Sequence, residues 1–177
     1  MQLENQRIRL RALEPTDLDI LYTWENNAVL WETSNTITPY SKDLLEQYLN
    51  QAHQDIYTNK QLRLMIETKV DRRTIGTIDL FDFEPRHRRA GVGILIADEQ
   101  DRKKGYANEA LALLKDYSIS TLGLHQLHAH ITEDNEASLA LFLKAGFIII
   151  GTKKDWVQSG TTWKSQLFLQ FIPNLYA

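Results

Sequence analysis

Arg102-Lys103-Lys104-Gly105-Tyr106-Ala107 is the stretch that decides how the rest of the chain is read. It stands between an apolar run, Gly91-Val-Gly-Ile-Leu-Ile-Ala97, and an apolar-periodic segment that begins at Tyr106 and runs to about Leu122. The order is strand, short basic glycine-bearing loop, helix. A loop of this kind leaves unpaired backbone N–H groups at the positive end of the helix dipole, where an anion such as a pyrophosphate is held without special side chains. Gly105 lets the backbone approach a ligand closely, and one arginine and two lysines add positive charge. The same residues also fit an ordinary strand-to-helix turn with solvated lysines. The elements on either side choose between the two.

Upstream, Arg7 to Leu13 alternates charged and apolar residues, which predicts a half-buried strand with Ile8 and Leu10 inward. Glu14-Pro15-Thr16-Asp17 then starts a helix whose stripe is Leu18, Leu21, Tyr22 and Trp24, and Asn26-Asn27 breaks it. Trp31 to Tyr40, rich in Thr, Ser and Asn and containing Pro39, reads as a loop. Ser41 caps a second helix that reaches about Ile56. Leu62–Thr68 and Thr74–Phe83 are two strands of a hairpin around Val70-Asp71-Arg72-Arg73, and Pro85 ends the second. Ala90 to Ala97 is apolar without alternation, which predicts a strand buried on both faces in mid-sheet.

Downstream of the basic loop, Ala107, Ala110, Leu111, Leu113, Leu114 and Tyr117 make a helix that lies deep against the sheet. Gln126–Thr132 alternates as a strand, Asn135 caps a short apolar helix stopped at Gly146, and Phe147–Ile150 and Thr162–Phe171 are two last strands joined around Ser159-Gly160. The fold class is therefore α+β: a mixed, mostly antiparallel sheet of about seven strands with helices on both faces. No repeat or linker interrupts the 177 residues, so 1–177 is read as a single domain.

Composition narrows the function. The net charge of −3 gives no support to nucleic-acid binding through a basic face and is compatible with a cationic substrate. The absence of cysteine excludes disulfides, thiolate metal sites and a cysteine nucleophile. No apolar run approaches the ~18 residues of a membrane span, and Met-Gln-Leu-Glu-Asn-Gln-Arg lacks a signal-peptide core, so no membrane partner and a cytoplasmic location are expected. His128 and His130 share a strand face, but with His87 and His125 they complete no ligand set, so no metal is expected and the histidines read as structural.

The element order, together with two local motifs, resembles the GNAT acetyltransferase superfamily from roughly Ile8 to Phe171. The opening stretch resembles that superfamily's pyrophosphate loop, here Arg102, two residues, Gly105, one residue, Ala107. Asn135-Glu-Ala-Ser138-Leu-Ala-Leu-Phe142-Leu-Lys-Ala-Gly-Phe147 resembles its second signature, an Asn opening a short helix that ends in Gly-Phe. A P-loop would need Gly-Lys followed by Ser or Thr, and a Rossmann fingerprint three spaced glycines; neither is present.

The resemblance implies acetyl-coenzyme A as co-substrate. Its pyrophosphate would sit on the N–H groups of Lys103, Lys104, Gly105, Tyr106 and Ala107 beside Arg102, and its pantetheine arm would pair with the backbone of Ile94, Leu95 and Ile96. Asn135, Ser138 and Phe142 would face the same arm. Many members carry a tyrosine that protonates the leaving thiolate at the position of Phe142, and a phenyl ring cannot do so. Water or another hydroxyl could serve, since such help is typically worth ~10²–10⁴-fold. Ser138, resembling a serine of the ribosomal-protein alanine N-acetyltransferases, is one alternative, and a coenzyme-binding sensor with little turnover is another.

Trp31, Glu32, Asp79 and Asp82 resemble substrate-site positions of spermidine N-acetyltransferases, with Glu32 and Asp79 as candidate bases, although Gly91 departs from an acidic residue there. The implied activity is acetyl transfer by direct attack of a primary amine, a small polyamine-like cation first and a protein N-terminus second. A homo-oligomer is expected, with Leu167–Phe171 as an apolar strand able to pair between subunits.

Overall fold

The computed structural model describes residues 3–34, 36–52 and 54–173, with the backbone alone over 32–34. Seven strands form one sheet: β1 (Ile8–Arg11), β2 (Leu62–Thr68), β3 (Thr74–Glu84), β4 (Arg89–Ile96), β5 (Gln126–Thr132), β6 (Ile148–Ser159) and β7 (Thr162–Phe171). Their order is β1-β2-β3-β4-β5-β7-β6, antiparallel throughout except between β4 and β5. The six helices described are α1 (Leu18–Glu25), α2 (Ala28–Ser34), α3 (Lys42–Gln51), α4 (Ile56–Asn59), α5 (Tyr106–Ser120) and α6 (Glu136–Lys144).

Strand alternation sorts the helices between the two faces. On β2, Leu64 and Ile66 turn to the main core with Leu111 and Leu114 of α5 and Phe142 of α6. Met65 between them turns the other way, onto Leu21 and Trp24 of α1 and Leu49 of α3. The expected α+β architecture, with helices on both faces, is the one observed.

Four expectations are corrected. The start of the expected loop, residues 31–34, belongs instead to helix α2, because the Trp31 indole donates to the Glu25 carbonyl at 2.8 Å and ties this turn to α1. The helix begun at Ser41 ends at Gln51, and α4 starts anew on its own cap, Asp55, which accepts from the Thr58 N–H at 2.9 Å. β6 runs to Ser159, far past Ile150. It is an edge strand with little buried surface, so hydrophobic alternation does not mark it. Finally, β7 pairs with β5 on one side and β6 on the other, so Leu167–Phe171 is no free edge for another subunit.

The sharpest departure is in β4. Ala90, Gly91 and Val92 are buried as the apolar run predicts, but Gly93 to Ile96 are only half-buried. β4 pairs with β3 from Arg89 to Ile96, yet with β5 only at Arg89, Ala90 and Gly91. Beyond Gly91 the two strands part, and the sheet opens between its halves.

Candidate active site

The parting of β4 and β5 leaves one edge of β4 unpaired. The Ala97 N–H donates to the Ile75 carbonyl at 3.0 Å, so alternation turns the N–H and C=O of Leu95 toward β3 and those of Ile94 and Ile96 into the gap. Of the three residues expected to pair with a pantetheine arm, Ile94 and Ile96 present their polar groups to the gap. Leu95 does not: its carbonyl lies against Gly76 on β3.

Past the end of β4, the chain turns through the basic loop into α5. Arg102 folds its guanidinium back onto the last carbonyls of the strand, Ile96 at 3.2 Å and Ala97 at 3.1 Å. Lys104 leans on Asp101 at 3.4 Å, and the buried Asp101 carboxylate also accepts both terminal nitrogens of Arg73 at 3.1 Å, which holds it below the usual carboxylate range. Arg7 braces the other flank: it donates to the Lys104 carbonyl and to Glu109, and lies 4.6 Å from the Tyr106 ring centroid. Lys103, at φ +60°, is exposed, and Gly105 at φ +90° opens α5 with no side-chain cap. The helix start is thus rigidly tied while its first N–H groups are left for an anion.

Two clefts flank β4. The first, about 580 Å³, lies under α1 and α3 and is lined by Glu25, Tyr40, Tyr48, Arg63, Thr77 and Asp79 among others. The second, about 970 Å³, follows the gap and is lined by His130, Asn135, Ser138, Phe142 and Trp156 among others. Both include Gly93 and Ile94, so they meet at the middle of β4.

Electrostatically the first cleft is a three-membered chain. Arg63 and Asp79 are opposite each other across β2 and β3; Arg63 donates from Nε to Asp79 Oδ1 at 2.5 Å and from a terminal nitrogen to Glu25 at 2.9 Å. Two carboxylates face one guanidinium, an excess of one negative charge. Burial pushes the Asp79 carboxyl above its ordinary value, with Arg63 opposing the shift. Burial disfavours the Arg63 charge, but the Asp79 and Glu25 carboxylates outweigh it and hold the guanidinium firmly protonated. Tyr48, against Arg63, is shifted up by burial and keeps its phenolic proton.

The other expected acceptor residues fall differently. Asp82, at φ +48° in the irregular end of β3, is exposed and lines neither cleft. Trp31 is half-buried and secures α2. The side chain of Glu32 lies outside the described residues. At Gly91 an added Cβ would stand 2.3 Å from Cε2 of Phe81, so any side chain at this position, including the acidic one the resemblance would lead one to expect, requires the ring to shift.

Glu25, Arg63 and Tyr48 were not anticipated. The available signal was Arg63 itself, a charge next to the apolar run Leu64-Met65-Ile66 and on the same face as Met65.

In the second cleft, Asn135 Oδ1 accepts from the Ser138 N–H at 3.1 Å and caps α6. Phe142 is buried and meets the Phe147 ring edge-on at a centroid distance of 4.9 Å, so it belongs to the core as much as to the cleft wall. Replacing Asn135 with alanine is expected to lower unfolding free energy by about 1 kcal/mol, the usual loss for a cap, while aspartate largely preserves it. Urea denaturation of both variants checks this, and an alanine variant as stable as wild type contradicts the capping role.

An opened strand edge near an unpaired helix start, joined to a cleft with two carboxylates on one guanidinium, gives room for two substrates to meet at β4. The Acetyltransferase (GNAT) domain matches residues 7–148, and the chain belongs to this family of acetyl-coenzyme A-dependent N-acetyltransferases. Among its relatives are the uncharacterized N-acetyltransferase YoaA of Bacillus subtilis, 30% identical over 94% of each chain, and the spermidine N(1)-acetyltransferase of Vibrio cholerae, 30% identical over 81% of this chain and 80% of that one. The crystal structure of the Vibrio cholerae spermidine N-acetyltransferase in complex with CoA and spermine superimposes with a TM-score of 0.84 at 26% identity, covering 95% of this chain and 96% of that one. A dodecameric structure of the same enzyme in an intermediate state gives 0.79 at 26% identity, covering 95% of each chain.

Proposed function

We propose that the protein acetylates a primary amine of a small polyammonium compound, with spermidine-like chains preferred over protein N-termini. The observation that carries this reading is the meeting of the two clefts at Gly93 and Ile94, one shaped for an extended donor and the other holding two carboxylates against one guanidinium. The donor's pyrophosphate is assigned to the backbone from Lys103 to Ala107, its amide-bearing arm to Ile94 and Ile96, and its thioester to the junction, with Asn135 and Ser138 on the far wall. Glu25 and Asp79 hold the cationic acceptor. A carboxylate already engaged by Arg63 is better suited to holding a cation than to taking up a proton, so Asp79 is assigned to binding. The spermine-bound and dodecameric relatives support a polyamine acceptor and a homo-oligomer for this chain as well.

The test follows free thiol while the protein is incubated with acetyl-coenzyme A and a panel of monoamines, di- and polyamines and N-terminal peptides. Expected is release that rises with the number of ammonium groups. No release above buffer with any amine would overturn acetyl transfer. If calorimetry then still showed coenzyme binding, the sensor reading suggested by Phe142 would stand instead.

A further inference from the structure

Among the described residues the donor cleft is lined by no tyrosine, and its ionisable side chains are His130, Asp134 and Lys164. Asp134 and Lys164 pair with each other at 2.7 Å. That leaves His130, the type of side chain that most readily both takes up and gives back a proton.

The sheet register places this histidine at the junction. β4 and β5 last pair at Gly91 and His128, so two residues further along both strands His130 stands across the opened gap from Gly93. Gly93 in turn is opposite Asp79 on β3, and a Cβ built on it would point within 4.0 Å of the Asp79 carboxylate. Asp79, Gly93 and His130 therefore lie in one row, on the sheet face that carries the acceptor cleft. Leu127, Ala129 and Ile131 of β5 turn to the opposite, core face.

The ring is firmly held. It stacks on Phe168 of β7 at 4.8 Å and 9°, and meets His128 edge-on at 5.4 Å. Nδ1 is buried without a hydrogen-bond partner, which leaves Nε2 as the nitrogen that can serve the cleft. The charged and titratable groups around it are His128 on its own strand, Lys153 on β6 and Asp82 on β3. Burial first and Lys153 second lower its proton affinity, against Asp82, so the resting imidazole is neutral. His128 is lowered likewise by burial and by His130.

We propose that His130 is the proton carrier of the acetyl transfer, moving one proton from the attacking amine to the departing sulfur. The neutral amine forms the new C–N bond, Nε2 takes the surplus proton from that nitrogen, and the imidazolium delivers it to the thiolate as the C–S bond breaks. Amide and free thiol leave, and the imidazole is neutral again. One group does the work of both base and acid, which accounts for a phenylalanine at position 142.

The inference rests on the acetyl-transfer reading. A wild-type protein without turnover overturns that reading, whereas turnover unaffected by the variant overturns only this one. His130→Gln is expected to lower kcat by about 100-fold, to leave coenzyme affinity by calorimetry unchanged, and to flatten the acidic limb of the kcat–pH profile. The loss shrinks when acetyl-coenzyme A is replaced by an acetyl thioester of an acidic aryl thiol, whose leaving group needs no proton. Added imidazole restores turnover to the variant. Wild-type kcat in the variant overturns the assignment, as does an equal loss with both donors. His130→Asn provides the same readouts, and loss of coenzyme affinity or of folded protein in both variants makes the residue structural and likewise overturns it.

Discussion

Substituting Arg63 with methionine is expected to cost about 3 kcal/mol of stability, because truncating one partner of a buried ion pair leaves the others as uncompensated charge. Arg63 serves both Asp79, whose side chain is 13% exposed, and Glu25, at 21%. Without the guanidinium, burial and then the Glu25 charge govern Asp79 against the Gln61 hydrogen bond, and its carboxyl moves further above its unfolded value. A group raised in this way favours the folded state below its unfolded pKa and disfavours it as pH rises through the folded one. The gap between variant and wild type therefore widens as pH rises above the ordinary carboxylate value. Chemical denaturation across that range measures it, and a gap that narrows with rising pH would contradict the assigned network. Adding Asp79→Asn to the variant removes one of the two stranded charges and should recover part of the loss. The single variant also leaves both carboxylates unopposed, so its KM for a triamine should fall even as the protein becomes less stable.

Gly76→Ala is the second large effect. A Cβ at this position would lie 1.9 Å from the Leu95 carbonyl oxygen, 3.0 Å from its carbon and 3.1 Å from the Ile96 Cα. All three atoms are backbone, so no side chain can swing aside, and β3 and β4 must separate. Overpacking commonly costs 1–3 kcal/mol, and a clash confined to backbone belongs at about 3 kcal/mol. The displaced stretch of β4 borders the donor gap, so the KM for acetyl-coenzyme A should rise with it. Gly151→Ala, where no atom lies within 4 Å of the added Cβ, is the matched control and should be near neutral by thermal melting. Equal melting temperatures for the two variants would refute the close approach.

Legibility in the sequence followed the physics of each element. α5 and β2 to β5 were readable because they bury a stripe or a face, and burial imposes periodicity. α2 and β6 were not: the first rests on a tertiary indole-to-carbonyl bond, and the second is an edge with both faces largely in water. The turn at Arg102 to Ala107 and the helix cap at Asn135 were legible as local structure, because backbone geometry demands particular residues at fixed spacing there. The acceptor side was not, because Glu25, Arg63 and Asp79 meet only through the packing of α1 on β2 and β3, which local spacing does not encode. Asp79 was found and its partner missed. His128 and His130 were noticed as sharing a face, but their place depends on where β5 leaves β4, a fact of pairing invisible in either strand alone.

The parted sheet also orders the chain by role. The acceptor cleft is lined by residues no later than Leu95, whereas the donor cleft, apart from Ile37 and the shared stretch of β4, is lined by residues from Ala129 onward. Position along the polypeptide thus coincides with position across the opened sheet. The exception is the basic loop, Lys103 to Ala107, which lies at the start of α5 and so travels with the first half of the chain. A crossover within α5 would therefore carry the first cleft and that loop together from one protein and take the Asn135 wall of the second cleft from another.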